Sequence, residues 1–376
     1  MINDPMINKA GPLPTKKYFA LEVTTTQKCD MACTYCFEGE ELQNTKKQDL
    51  DIIKIINDLL IDAEFQKEYN GITLDFWGGE PTLNTKLIFE VLEAYKNDPI
   101  DFFFYTNGLN ALTISSIIYK FREYGIDDSR FSFQVSYDGI GHDKYRVDHS
   151  GKGTQQRVLS SIKYLSSNFP EINFSIKGTL PVEELPNIVK HWEHYYELSK
   201  ELPWISWSPT IEYTNKYLIE QKLLDKLEKD FTELAKREIK YFEENGKFLF
   251  TWFGTGDRAM CTAGINIANI DLDGNMLVCH GALYVDKKEE FIIGSVDNIA
   301  ESVMTSHKKH KELLILPEHC KGCSATVCYQ CPIINVEVSD KSYEEAYHDP
   351  KDDLCEVYKL FGLIDRTVQR YLKLRK

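Results

Sequence analysis

From Tyr18 to about residue 240, short β-branched and aromatic runs alternate with segments whose apolar residues recur at spacings of three and four. Such alternation leaves few folds open, because helical crossovers between strands build a parallel sheet covered by helices. Six strands are predicted, at Tyr18 to Thr24, Ile72 to Trp77, Phe102 to Thr106, Phe131 to Tyr137, Ile172 to Lys177 and Trp204 to Ser208. Covering helices are read from Ile52, Ile56, Leu59 and Leu60, and from Leu223, Leu227, Phe231 and Leu234.

The unusual residues fall at the strand ends. A cysteine loop follows the first strand, Gly78-Gly79-Glu80-Pro81 the second, Thr106-Asn107-Gly108 the third and Ser136-Tyr137-Asp138-Gly139 the fourth. In parallel barrels the active site is built at that edge. Near residue 250 the pattern changes to a glycine-interrupted stretch (Gly254, Gly256, Gly264), a hairpin turn at Asp273-Gly274-Asn275 and then dense cysteines. This reads as a small cluster-bound domain over residues 251–376. From Leu354 a helix is predicted, with an apolar face of Val357, Phe361, Ile364, Val368 and Tyr371.

Composition narrows the chemistry. A net charge of -14 over 376 residues argues against a nucleic-acid or anionic-membrane partner. No apolar run approaches the roughly 18 residues of a membrane span. Met1 to Lys17 holds Pro, Asp and Asn where a signal peptide needs an apolar stretch, so a cytoplasmic protein is expected. In that reducing compartment ten cysteines read as metal or cluster ligands rather than disulfides.

Cys29, Cys33 and Cys36 share one loop with C-x3-C-x2-C spacing. Three thiolates can hold three irons of a [4Fe-4S] cube and leave the fourth open for a ligand. A zinc site or buried thiols would also fit the spacing, although zinc normally takes four ligands from paired C-x2-C hairpins. With an aromatic residue directly before the third cysteine, Cys29-Asp30-Met31-Ala32-Cys33-Thr34-Tyr35-Cys36 resembles the signature loop of radical S-adenosylmethionine (SAM) enzymes. The resemblance continues through Gly78-Gly79-Glu80-Pro81, Ser136-Tyr137-Asp138-Gly139 and His142-Asp143-Lys144-Tyr145-Arg146. It implies that the backbone at Tyr35 lies near the adenine of SAM, that Gly78, Gly79 and Glu80 form the turn holding the methionine amine, and that Ser136 meets the ribose. Arg146 would grip the methionine carboxylate through two parallel hydrogen bonds. The implied fold is α/β, a partial (β/α)6 TIM-like barrel over residues 18–250 after an N-terminal extension of residues 1–17. The implied activity is reductive cleavage of SAM to methionine and a 5′-deoxyadenosyl radical, fed by an electron donor such as flavodoxin or ferredoxin.

Cys261 and Cys279 flank the Gly274 turn, followed by Cys320-Lys321-Gly322-Cys323, Cys328-Tyr329-Gln330-Cys331 and Cys355. That order resembles the SPASM domain, which carries two auxiliary [4Fe-4S] clusters in enzymes that modify peptides and proteins; a zinc-bound module is the alternative. The Cys320 to Cys331 segment is tighter than in that family. By the resemblance, one auxiliary cluster takes Cys261, Cys279 and Cys331, and the other Cys320, Cys323, Cys328 and Cys355. Three clusters are then expected in all, with one auxiliary iron left for another side chain, water or a substrate thiolate.

By overall length the chain resembles the anaerobic sulfatase maturases and the maturases of small ribosomal peptides. Sulfatase maturases have an aspartate, thought to be a base, directly after the second auxiliary cysteine, where this chain has His280. His280 is a candidate base or a hydrogen-bond partner of the cluster. The resemblance implies a peptide or protein substrate and a crosslink, foremost a thioether; formylglycine formation or epimerisation is the alternative. With only some 17 residues before the first strand, leader recognition is expected from the barrel and cluster domain or from a separate leader-binding protein.

Overall fold

Six parallel strands form the frame: β1 (Lys17–Thr24), β2 (Tyr69–Trp77), β3 (Asp101–Thr106), β4 (Phe131–Ser136), β5 (Asn173–Pro181) and β6 (Ser208–Glu212). They lie in the order β6-β5-β4-β3-β2-β1. This sequential parallel order is that of a partial (β/α)6 barrel, with helices Ile52–Leu60, Thr85–Ala94, Ala111–Glu123, Gln155–Asn168 and Ile188–Glu201 as crossovers. The computed structural model describes residues 17–36, 39, 46–212, 219–254, 261–283, 285–313, 320–328, 331–337, 342–348 and 352–373. The N-terminal extension before Lys17, and Gly256, lie outside them. No helix among the described residues is long and apolar enough to cross a membrane.

Period-two alternation decides which strand residues meet the helices. Phe19, Leu21 and Val23 of β1, Ile72, Leu74 and Phe76 of β2, Phe102 and Phe104 of β3 and Phe131 and Phe133 of β4 share one core with Ile52, Ile56, Leu59, Ile88 and Phe121 from the helices. Within it Phe76, Phe104 and Phe133 stack rung on rung, with centroids 4.7 and 4.8 Å apart, on residues paired in register. Such cross-strand pairs lock the register, because a one-residue slip would turn every ring to the wrong face. The opposite parity on the same strands carries Glu22, Asp75, Tyr105 and Gln134. Barrel interiors are ordinarily filled by branched apolar side chains. Here polar and charged groups occupy the inner face, as a reaction site requires.

The last predicted barrel strand is displaced. Trp204 lies in a turn, Trp207 makes an isolated parallel bridge to Phe250, and β6 begins at Ser208. Trp207 is fully buried against Tyr195 and Phe250, and its backbone bonds to Leu249 and Thr251 rather than to β5. The strand then tolerates Pro209 because β6 is the sheet edge, where a missing donor goes unnoticed.

Beyond residue 250 the sheet continues: β7 (Ile267–Ile270) pairs parallel with β1, and β8 (Asn275–Leu277) and β9 (Ile292–Ser295) add antiparallel. The predicted turn joins β7 to β8, with Gly274 at φ 83°, where a Cβ would be strained, and Asp271 Oδ1 accepting from the Asp273 and Asn275 N–H groups. The C-terminal helix spans Asp352–Lys373. Val357, Phe361 and Val368 pack beside Phe231, Phe250 and Trp252, with Ile364 partly buried against them. Tyr371, expected on that face, is exposed at the helix end.

Candidate active site

The cysteine loop is held by backbone bonds from two sides. Gly79 N–H donates to Thr26 O and Glu80 N–H to Lys28 O, both at 2.9 Å, while Ala32 and Thr34 donate to Val147 O and Tyr145 O at 2.8 Å. The glycine pair is needed for this approach: a Cβ on Gly79 would stand 2.6 Å from Gln27 O and Lys28 O, and Gly78 has φ 135°. Cys29 Sγ accepts from Met31 N at 3.4 Å and from Asn107 Nδ2 at 3.8 Å. Burial pushes the Cys29 and Cys33 thiols up, and Cys29 further feels Cys33. Thiols that share one buried loop and feel each other's charge fit a cluster, whose irons stabilise thiolates that burial alone disfavours. Among the described residues no three His, Cys, Asp or Glu side chains converge on a single metal ion; a cube takes each thiolate on a separate iron.

Glu80 ties the ends of β2 and β3 to this loop. Its Oε1 accepts from Thr82 N at 3.2 Å, Thr82 Oγ1 at 2.6 Å and Thr106 Oγ1 at 2.9 Å, and its Oε2 from Asn107 N at 2.7 Å. Asn107 in turn donates to Asp30 Oδ1 at 2.6 Å. Burial raises the Glu80 carboxyl to about 7 in spite of these donors.

Arg146 is already engaged by a carboxylate of the protein. Its Nε donates to Asp138 Oδ2, the guanidinium lies 5.4 Å over the Tyr35 ring, and Nη1 is 4.0 Å from Cys33 Sγ. The Tyr35 hydroxyl donates to the same Asp138 oxygen, and Thr179 N–H to Oδ1 at 2.8 Å. The predicted residues Cys33, Tyr35 and Arg146 thus meet around Asp138, a member of the Ser136-Tyr137-Asp138-Gly139 motif for which the sequence alone offers no role. Ser136 ends β4, half-buried and in register with Lys177. Cys36 follows within the loop, its N–H bonded to Cys33 O at 3.0 Å.

On the inner face, Glu22 holds His280 twice: Oε2 accepts its backbone N–H and Oε1 meets Nδ1, both at 2.6 Å. The imidazole stacks on Trp77, centroids 3.7 Å apart. Glu22, Asp75, Trp77 and Tyr105 went unnoticed in the sequence. The available signal was a charged residue at an inward position of a central strand, flanked by core residues, as in Leu21-Glu22-Val23 and Leu74-Asp75-Phe76.

Cys261, Cys279 and Cys331 come together against the core formed by Leu277, Val278 and Phe291. Burial pushes the Cys261 thiol up to about 12, with Cys331 adding to it, and Cys279 is raised by burial, Glu22, Cys261 and Cys331. Of the other set, Cys320 and Cys328 are buried, Cys323 N–H bonds to Cys320 O at 3.1 Å, and Cys323 and Cys355 both act on Lys359 of the C-terminal helix.

Residues 23–201 match the family model described as the Radical SAM superfamily. A cysteine-type anaerobic sulfatase-maturating enzyme of Clostridium novyi is 24% identical over 331 residues, covering 79% of this chain and 82% of that protein. The fold is similar to anSMEcpe solved with bound AdoMet and Cp18Cys peptide, with TM-score 0.66, 17% identity and coverage of 95% of this chain and 99% of that one. It is also similar to Streptococcus suis SuiB bound to its precursor peptide SuiA, with TM-score 0.55, 14% identity and coverage of 89% and 75%. Residues 23–201, which carry the three-cysteine loop, the glycine turn and Arg146, are thus similar to the Radical SAM superfamily, and the fold of the chain, its cysteine-rich C-terminal region included, is similar to that of anSMEcpe.

Proposed function

We propose that this chain modifies a side chain of a ribosomally made peptide, joining it to a cysteine as a thioether crosslink, and carries three [4Fe-4S] clusters on the cysteine sets above. When bound, the first cluster supplies the electron that splits SAM into methionine and the 5′-deoxyadenosyl radical. The chain's own residues bind and orient. An ammonium needs acceptors, so the carbonyls of the Gly78-Gly79 turn and the charge of Glu80 face the methionine amine. Arg146, aimed by Asp138, turns its Nη groups to the carboxylate, Ser136 meets the ribose and the Tyr35 backbone the adenine. Electrons come from a flavodoxin or ferredoxin.

The observation that carries the reading is the meeting of Cys261, Cys279 and Cys331 with Glu22 and His280 at the inner face of β1. Closing a C–S bond removes two hydrogens from the peptide, one as an atom taken by the radical and one as a proton, with an electron leaving to the enzyme's redox centres. His280, whose Nδ1 is tied to Glu22, offers Nε2 for that proton. The likeness to enzymes solved with peptides supports a peptide partner. Anaerobic incubation with SAM, reductant and a cysteine-bearing precursor peptide should give 5′-deoxyadenosine and a peptide lighter by two hydrogens. A Cys→Ser peptide should remain unmodified. Oxidation to formylglycine is the second reading, favoured by the Clostridium novyi relative; its product would be trapped by hydrazine, whereas a thioether would not.

A further inference from the structure

Two carboxylates face each other inside the barrel. Glu22 and Asp75 are paired in register on β1 and β2, and their neighbours Leu21, Val23, Leu74 and Phe76 all point into the helix-facing core. Alternation therefore sends both carboxylates inward, where they are 2 % and 7 % exposed. Both oxygens of Glu22 are engaged by His280. Asp75 differs: Oδ2 accepts from the Tyr105 hydroxyl at 3.5 Å, but the buried Oδ1 has no hydrogen-bond partner. Two residues along the same face, the indole N–H of Trp77 is buried and unpartnered as well. Buried polar atoms in native proteins are nearly always satisfied, so one acceptor and one donor left open side by side point to a ligand.

We propose that Asp75 and Glu22, walled by Trp77 and Tyr105, form a pocket for a cationic side chain, lysine or arginine, of the substrate peptide, with Trp77 Nε1 donating to a carbonyl of the same peptide; this rests on the peptide reading above. Charge selects the occupant. Burial and the neighbouring Glu22 push the Asp75 carboxyl well above the usual carboxylate range, and a cation between the two relieves that repulsion. The walls agree, since Trp77, with His280 stacked on its indole, meets Tyr105 edge to face at 4.4 Å, and such rings pack along the methylenes of a long side chain whose charged head reaches beyond them. Depth agrees too. Asp75 lies three residues before Gly78 on one strand, roughly 10 Å at about 3.3 Å per residue. A long side chain with its head at Asp75 carries its methylenes up to the strand ends where SAM is held.

The test uses reconstituted holoenzyme with SAM, without oxygen, and short synthetic peptides of randomised sequence alike except at one central position, which is lysine, arginine, glutamine or norleucine. Retained peptides are counted by mass spectrometry. The wild type is expected to retain the lysine and arginine peptides roughly ten- to hundredfold over the other two, the range for a hydrogen bond to a charged group. Asp75→Asn keeps the shape, removes the charge and should abolish most of that preference. Glu22→Gln serves if Asp75→Asn does not fold, with iron content as the folding readout. Equal retention of lysine and norleucine by the wild type overturns the pocket and leaves the peptide reading standing. A cationic preference that survives these variants also overturns it, because the acidic outer surface is then the source. If no peptide of any composition is retained, the peptide reading falls and the pocket with it.

Discussion

Arg146 donates from Nε to Asp138 Oδ2 at 2.9 Å, with the two side chains 11 % and 1 % exposed. Asp138 is itself fixed by the Thr179 N–H and the Tyr35 hydroxyl, so it sets the angle of the guanidinium rather than following it. Arg146→Ala should weaken SAM binding roughly ten- to hundredfold, since a charge-assisted contact is worth about 1.5 to 3 kcal/mol. It should also lower stability, because a buried carboxylate is left unpaired. Asp138→Asn keeps the guanidinium but loses its aim, and should weaken binding less. SAM titration of the reconstituted variants checks both. An unchanged affinity in Arg146→Ala would remove the carboxylate role from that residue.

Glu80 gives a pH signature. Burial raises its carboxyl from the usual 4.5 to about 7, so the folded protein holds a proton there that the unfolded chain has lost. The sign follows: this group's contribution to stability is present at low pH and fades as pH rises from about 4.5 to about 7. SAM binding runs the other way, since the methionine ammonium favours the ionised carboxylate. Affinity for SAM should rise with pH through about 7 in the wild type. In Glu80→Gln it should be low and flat, as measured by titration at a series of pH values.

Much of this site is legible in the sequence because its parts are local. Cys29, Cys33 and Cys36 sit within one loop, and the glycine turn and the β4 end follow strands whose alternation is plain. The partners assembled by the sheet are harder to see. Glu22 and His280 are 258 positions apart and meet only because β7 extends the sheet beside β1. Asp138 lay inside a recognised motif, yet its role depends on Thr179 of β5 reaching it across the neighbouring strand. The β6 offset has a similar origin: Trp207 is extended, but its backbone pairs with the distant segment at Leu249 and Thr251 rather than with β5, a choice of partner made by the tertiary fold.

Gly79→Ala isolates the first cluster. The added Cβ would meet the Gln27 and Lys28 carbonyls at 2.6 Å, both backbone, so the loop must shift rather than a side chain. The C-terminal cysteines are untouched by that change. The variant should lose about four of about twelve irons, the share of one cube in three, together with 5′-deoxyadenosine formation. Cys29, Cys33 and Cys36 replaced together by Ala should give the same loss. Iron analysis and an anaerobic SAM-cleavage assay report the two effects separately, and SAM cleavage by the triple variant would defeat the assignment of the first site.

Glu22 and His280 separate a proton-transfer role from a supporting one. The Glu22 carboxylate accepts from both the His280 backbone N–H and, with the ring in its Nδ1–H form, the imidazole, which leaves Nε2 as the proton acceptor. In Glu22→Gln one carboxamide position becomes a donor, so the ring either loses its Nδ1 contact or turns to the Nε2–H form, and the tautomer that leaves Nε2 open is no longer fixed. If Nε2 takes the proton released as the crosslink closes, His280→Gln should cut product formation by about 10²- to 10⁴-fold, the usual worth of a positioned base. SAM cleavage precedes that step. The count of 5′-deoxyadenosine per modified peptide should therefore climb in His280→Gln, and climb less in Glu22→Gln. A purely supporting His280 would behave differently: its loss would shift the auxiliary-cluster spectrum while the ratio of 5′-deoxyadenosine to product stayed near the wild-type value.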